Sequence, residues 1–582
     1  MIPDPKVLQQ RLRDGTQRLL AIDGPRYRRL WAYYRNPMRV VAVDADDNGS
    51  HRPYRQAQEW GLPSRITGVR SATDPDQSQQ VDGVARKEVV VENDIGWRVD
   101  TMVDSLFGKP LGISSLAPDP NRRQMISELL RLIVAQNGGV SFLQQIALLG
   151  GVYGFVDVLV KLDRTQKIPA DALAALSMCG TGDLGHGTTC DDRATNESPA
   201  ADAPSSASAD SSTITPVDEP APATTLPVTG LATVVDDAAS DAARHATQAV
   251  SPDVLMHIAR VIRLEIVEPA RALPVLADTD VRVVQAYAQA YHAPRITTDK
   301  PQRAYKARWI DRVKRSAVGL MGARDPQDAP PAVGDEQDAL IIDLITPTHW
   351  QRYEDERLVA SGINALGIVP LVHVQNVAEP FAYEGASDVE PLVPLQDELN
   401  TRLSDRANRI TLQSFKMYLG KGIEGFGDLA VTPGRMWSTD NMDANVIEFG
   451  GDAACPSEDA HIAEVREALD KTSGVTPIAA GAIKGRIGRL TSAAALRITL
   501  QALLNRTEKK RTTYGTAIER MCELSLAWLD VAGIFKTTPQ ERRVELTWPS
   551  PIPQNESELL EQAQAKLRVG VPPTTVLREL GY

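Results

Sequence analysis

Lys484, Arg486 and Arg489 fall in a stretch, Gly474 to Thr507, that contains no Asp or Glu. Cations left uncompensated over that length can meet phosphate groups through a Coulomb contact that carries no sequence information. A solvated basic loop is the plainer reading of the same residues. The carboxylates Asp397, Glu398 and Asp405 invite an acid/base reading. Arg402, Arg406 and Arg409, interleaved with them, point elsewhere, because helical i,i+4 spacing sets Glu398 beside Arg402 and Asp405 beside Arg409 as charge pairs. Gly420-Lys421-Gly422-Ile423-Glu424-Gly425 fits G-x-G-x-x-G. A dinucleotide fingerprint needs a helix next, whereas Phe426 to Gly434, with Gly427 among them, reads as loop and strand. Cys179, His186 and Cys190, near Asp191 and Asp192, match no zinc-ligand spacing and read as a polar loop. Walker A, H-E-x-x-H and G-x-S-x-G patterns are missing from the sequence. No catalytic residue, cofactor or metal is therefore expected.

The elements that must carry these residues follow from periodicity. Residues 5 to 35 read as an Arg-rich helix, with Asn36-Pro37 ending it. Ile95, Val99, Met102, Val103 and Leu106 define a second helix, stopped by Gly108 and Pro110. An amphipathic stretch over 122 to 149 leads to a turn at Gly150-Gly151-Val152-Tyr153-Gly154 and a strand from Phe155 to Leu162. Strand text resumes at 263 to 269, 281 to 287, 305 to 313, 340 to 344 and 367 to 376. An antiparallel sheet with helices packed on it fits this pattern. A helix from Val389 to about Ser414 carries Leu392, Leu395, Leu399, Leu403 and Ile410 on one stripe. Gly-rich text with short strands fills 415 to 455, and a short helix covers 457 to 472. Gly474 and Pro477 break the chain before a long helix from about Thr491 to Val531.

The chain has 582 residues, with 63 Lys and Arg against 75 Asp and Glu, a net charge of −12. An acidic balance argues against a broad basic surface that wraps nucleic acid, so any such contact is local. The length allows several domains. Four scattered cysteines do not make a disulfide framework, and reducing cytosolic synthesis is expected. The N-terminus reads as no signal peptide and no apolar run reaches membrane-span length, so a soluble chain with no membrane partner is expected. Between Asp191 and Val250 about three quarters of the residues are Ala, Ser, Thr, Asp or Pro. Such text cannot bury enough apolar surface to offset its ordering entropy, and 164 to 252 reads as a low-complexity insertion interrupting a domain.

In order and spacing, several segments resemble the portal proteins of tailed bacteriophages. These are Tyr33-Tyr34-Arg35-Asn36-Pro37, Asn93 to Pro110 with its Phe-Gly-Lys-Pro ending, Leu148 to Val160, and Leu366-Gly367 to Asn376. They continue as Ser387-Asp388-Val389-Glu390-Pro391, Leu395-Gln396-Asp397-Glu398-Leu399-Asn400, Leu403-Ser404-Asp405, and Thr491-Ser492-Ala493-Ala494-Ala495-Leu496. The low-complexity insertion departs from the family pattern.

The resemblance implies an α+β portal fold in a ring, usually dodecameric, at one capsid vertex. By order, 1–163 and 253–386 would be wing, 387–414 the first stem helix, 415–456 the clip and 457–473 the second stem helix. The tunnel loop would be 474–490, the long wing helix with its following strand 491–549, and a helical crown 550–582. It further implies a virion protein that nucleates the procapsid with the major capsid and scaffolding proteins. Double-stranded DNA would pass its channel during packaging and ejection, touching Lys484, Arg486 and Arg489. Glu398, Arg402, Asp405 and Arg409 would form charge pairs between stems. The clip glycines Gly420, Gly422, Gly425 and Gly427 would face the terminase large subunit and then a head-completion adaptor. The residues alone leave open a nucleic-acid-processing enzyme or a generic virion scaffold.

Overall fold

The computed structural model describes residues 5–40, 54–70, 79–80, 86–163, 165–166, 169, 251–293, 339–355, 357–414, 417–423, 440–449, 455–481, 497–551 and 556–580. The chain divides into one unit formed by Met1–Lys167 with Leu255–Tyr582, and a second, Ile168–Val254. Nearly all of the second unit, and with it most of the low-complexity insertion, lies outside the described residues. The strand expected at 305 to 313 lies outside them too.

The N-terminal helical text forms α1 (Pro5–Arg18) and α2 (Gly24–Arg35), joined by a π-turn over Leu19–Asp23. Asn36, in the left-handed conformation at φ 43°, ends α2, as a short polar side chain can. Short ribbons follow: β1 (Met38–Val40) with β2 (Tyr54–Gln56), the one-turn α3 (Ser64–Thr67), and β3 (Val69–Arg70) with β4 (Gln79–Gln80). Next come α4 (Gly96–Phe107), β5 (Gly112–Ser115), α5 (Pro120–Gln136), α6 (Gly139–Tyr153) and β6 (Phe155–Leu162). The single amphipathic stretch expected over 122 to 149 is thus two helices. Gly138 (φ 110°) and Gly139 (φ 58°) break it, and the Asn137 side chain bonds Ile133 O at 2.8 Å and Ile262 O at 3.0 Å. The turn expected over 150 to 154 is confined to Gly154 at φ 94°, where a Cβ would stand 2.2 Å from the Gly385 carbonyl oxygen.

After α7 (Pro252–Ala259) come β7 (Ile262–Val267), β8 (Ala272–Leu276), β9 (Val284–Ala293), β10 (Ala339–Ile345), β11 (His349–Glu354), β12 (Arg357–Ile363) and β13 (Leu371–Gln375). The strand text read at 281 to 287 is therefore shifted to β9, and that at 367 to 376 is trimmed to β13. Two antiparallel sheets result, one ordered β12-β11-β10-β9-β8 and one β13-β6-β7. The fold is α+β, as expected.

The C-terminal part consists of α8 (Val393–Ser414), the β14 (Met417–Lys421) and β15 (Asn445–Phe449) ribbon, α9 (Pro456–Ser473), α10 (Gln501–Val531), β16 (Val544–Thr547), α11 (Glu556–Arg568) and α12 (Pro573–Leu580). The helix expected from Thr491 is broken at Leu500, leaving α10 with 31 residues and about 46 Å of length. One core joins these parts: Tyr27, Tyr33, Phe155 and Tyr287 pack with Leu399 and Leu403 of α8 and Val465 and Leu469 of α9. Among the described residues no single helix is long and apolar enough to cross a membrane.

Candidate functional site

The site begins where α8 leaves the sheets. Ser387 Oγ donates to the Val152 carbonyl at 2.6 Å and accepts the Val389 and Glu390 N–H groups at 3.0 and 3.2 Å. One hydroxyl thereby pins the entry of the helix to the end of α6 and satisfies two orphan donors. Beyond it the Leu stripe faces the core, and a second stripe one residue on, Gln396, Asn400 and Ser404, is buried although polar.

These three side chains serve a strip of backbone, residues 90 to 94, by accepting every second N–H. Asp94 N–H donates to Gln396 Oε1 at 3.1 Å, Glu92 N–H to Asn400 Oδ1 at 3.0 Å and Val90 N–H to Ser404 Oγ at 3.0 Å. Gln396 Nε2 donates back to the Glu92 carbonyl at 2.6 Å, and Asn400 Nδ2 reaches Gln58 Oε1 at 3.1 Å. A four-residue spacing matches one turn of α8 to two residues of the strip. Sequence reasoning stopped at the Leu stripe, but the signal lay in the polar residues repeating every fourth position beside it.

The charged residues of α8 have partners within the chain. Glu398 accepts from Arg402 at 2.7 Å and faces His461 at 3.0 Å. Asp405 receives both guanidinium nitrogens of Arg65, at 2.5 and 2.9 Å, and Arg409 binds Glu458. The helical neighbourhood expected for Asp405 and Arg409 thus gives way to longer-range pairs, since Arg65 from α3 and Glu458 from α9 reach the same side chains. Asp397 is set apart. Burial raises its pKa from the ordinary carboxylate value, against the opposing effects of the Tyr33 hydroxyl, which donates to it at 2.5 Å, and of Arg29. The Tyr33–Asp397 bond ties α2 to α8.

Beyond α8 the chain makes the antiparallel β14–β15 ribbon, with Gly420 opposite Val446. Gly420 lies inside β14 and Gly422 just after it at φ 71°. A two-stranded antiparallel ribbon is not the parallel β-α-β frame that a dinucleotide fingerprint serves. Gly425 and Gly427 lie outside the described residues. The chain returns along α9, antiparallel to α8: Arg409 meets Glu458, Arg406 meets Asp459 at 2.9 Å, and Glu398 meets His461.

The end of α9 is gripped. Gly474, at φ 69°, caps the helix. Arg98, buried in α4, binds Asp94 at 2.9 Å, Asp470 at 2.7 Å, Ser473 Oγ at 3.2 Å and the Val475 carbonyl. Arg506, near the start of α10, donates to the Thr472 and Ser473 carbonyls at 2.9 and 2.5 Å. Two cations meet the negative end of the helix dipole. Beside them the buried Lys510 of α10 binds Asp388 at the head of α8, with Arg506 3.4 Å from the same carboxylate. Desolvation pulls the Lys510 ammonium below its usual pKa, opposed by the Asp388 charge. Met102, Val475 and Leu503 close this junction as a small apolar cluster.

From it springs the acid-free stretch. Lys484, Arg486 and Arg489 lie outside the described residues, as do Cys179, His186 and Cys190. No cluster of metal-ligating side chains occurs among the described residues. The helical pair, the ribbon at its far end and the gripped end of α9 all fall in a part of the chain that matches a known family. Residues 256–581, over half of the chain, match the family described as phage portal protein, SPP1 Gp6-like. The chain belongs to the phage portal protein family. None of the curated proteins compared matches it. The portal match starts after Tyr33-Tyr34, Asn93–Pro110 and Leu148–Val160, so only the later resembling segments, from Leu366 on, fall within it. The family is generally structural rather than enzymatic. Membership implies an oligomeric assembly in the virion capsid.

Proposed function

We propose that this portal protein closes into a ring, dodecameric as is usual for the family, and conducts double-stranded DNA into and out of one capsid vertex. What carries the reading is the run α8, ribbon, α9, gripped break, α10, falling within the matched residues. In that reading α8 and α9 are the stem, the β14–β15 ribbon belongs to the clip, and 474–490 is the tunnel loop. The long wing helix with its following strand is 491–549, the crown is 550–582, and the wing is 1–163 with 253–386.

Lys484, Arg486 and Arg489 then face the duplex and meet phosphates without reading bases, which a sliding duplex requires. An acidic ring wall weakens adhesion elsewhere. The ribbon around Gly420 and Gly422 presents weakly charged strand edges, suited to strand addition by the terminase large subunit during packaging and by an adaptor afterwards. The major capsid and scaffolding proteins surround the wing. Glu398, Arg402, Asp405 and Arg409, already paired within the chain, contribute to contacts between neighbouring stems.

Light scattering with negative-stain class averages of the purified full-length chain tests the ring. A closed ring with a central hole is expected, whereas a compact monomer or dimer at all concentrations overturns the reading. For the loop, K484A/R486A/R489A is expected to keep the ring and to impair DNA packaging or retention, and normal packaging by that variant removes the loop from the mechanism.

A further inference from the structure

Sheet edges are templates for unwanted pairing, and this chain covers some of its own. The outer edge of β7 is occupied by Asn137, whose side chain receives the Leu264 N–H at 2.8 Å and donates to the Ile262 carbonyl at 3.0 Å. On the edge strand β8, the Leu276 carbonyl takes a bond from Arg11 at 3.1 Å. The opposite edges of the same two sheets, β12 and β13, pair with no further strand among the described residues.

The two open edges differ in shape. β12 projects: Leu358, Val359 and Ile363 are 48%, 47% and 74% exposed. Leu358 and Val359 are consecutive and so point to opposite faces, which leaves the start of this strand bare on both. β13 is recessed. The bonds from Val160 N–H to the Pro370 carbonyl and from Asn376 N–H to the Gly154 carbonyl turn the even-numbered backbone groups toward β6. Those of Leu371, His373 and Gln375 therefore face the other way. They open on a groove of about 750 Å3, whose far wall includes the short side chains Thr512 and Thr516 of α10. Its charged lining residues are Arg282, Glu379 and Arg520, the last paired with Glu523 at 2.5 Å, and His373 is bound to Asp157. At the turn that leads into β12, Arg357 of β12 lies opposite Glu354. Shape is complementary, projecting against recessed, and neither side sets a net charge against the other.

Two different open edges on one chain make a heterologous contact, the kind that closes into rings, whereas a strand that pairs with its own copy stops at two. Resting on the ring reading above, we infer that β12 of one subunit adds to β13 in the groove of the next. The five-stranded sheet of one copy then continues into the three-stranded sheet of its neighbour. The occupant of the groove is a second copy of this chain.

Complementation between two damaged full-length chains tests this. V359K/I363K puts charge on the projecting edge, and T512R/T516R fills the groove; all four positions are solvent-facing or lie on an edge, so each chain is expected to fold, as circular dichroism checks. Expected are single-chain mass, 63.3 kDa, for each variant alone, and a doubling to a two-chain species on mixing, because one intact edge and one intact groove remain to mate once. Either variant assembling alone as the unaltered chain does, or a mixture that stays at single-chain mass while the unaltered chain forms rings, overturns the pairing and leaves the ring reading standing. An unaltered chain that never assembles overturns both.

Discussion

The two ends of α8 are held by opposite means. At its base Gln396, Asn400 and Ser404 are buried and bonded to residues 90 to 94, Lys510 is buried against Asp388, and Arg98 grips the end of α9. At its far end Ile410 and Leu412 are 42% and 67% exposed, and the ribbon beyond shows Leu419 at 54% and Ile447 at 45%. An isolated two-stranded ribbon is marginal in water. The base is therefore completed by the chain itself, while the tip leaves apolar side chains in solvent.

The contrast breaks most sharply at the buried ion pair. Lys510→Ala leaves the Asp388 carboxylate only its 3.4 Å contact with Arg506 and is expected to lower folding stability by up to about 3–5 kcal/mol in denaturant titration. Replacing both residues with apolar ones recovers most of that loss, and a double variant as unstable as the single one would show the pair to be more than mutual neutralisation. Asn400→Ala strands the Glu92 N–H and is expected to cost about 1–3 kcal/mol, with Asn400→Asp no milder, because a buried carboxylate would face the Gln58 oxygen to which the amide now donates. Acid should act next. Arg26 holds Glu390 through two bonds, at 2.9 and 2.7 Å, and its hydrogen bonding lowers the carboxyl pKa from the ordinary 4.5. A depressed folded pKa gives stability that is complete above about pH 4.5 and is lost as pH falls, so R26A should flatten the acid limb of an unfolding curve. At the tip Ile447→Ser is expected to change monomer stability by less than about 0.5 kcal/mol while weakening assembly. Deleting 191 to 250 should leave both monomer stability and ring mass unchanged, and loss of the oligomer would give that segment a structural role.

Legibility in the sequence follows how local the cause is. The stripe of Leu395, Leu399 and Leu403 gave the helix and its buried face, because periodicity is a property of the segment itself. The Gly474 cap was readable for the same reason. The ladder on Gln396, Asn400 and Ser404 was not, since its partner is an aperiodic strip some three hundred residues upstream. The same distance hid the capture of Asp405 by Arg65, where helical spacing pointed to Arg409. The break between α5 and α6 depended on two residues, Gly138 and Gly139, inside a run whose apolar pattern continues on both sides. Of the candidate site, the order of parts was legible and the clamp of Arg98 and Arg506 was not, because an arginine that binds a helix end looks in sequence like any surface arginine.

Val475 and Leu503 meet at Met102, so two well-separated positions of the chain are fixed at one place. Two posts so close together make the span between them an exchangeable cartridge. Its length can be altered at a closure cost that rises by only about 0.6 kcal/mol for each doubling, without moving the helices that carry the posts. Evolution, or a protein engineer, can therefore retune this span independently of the scaffold that holds it.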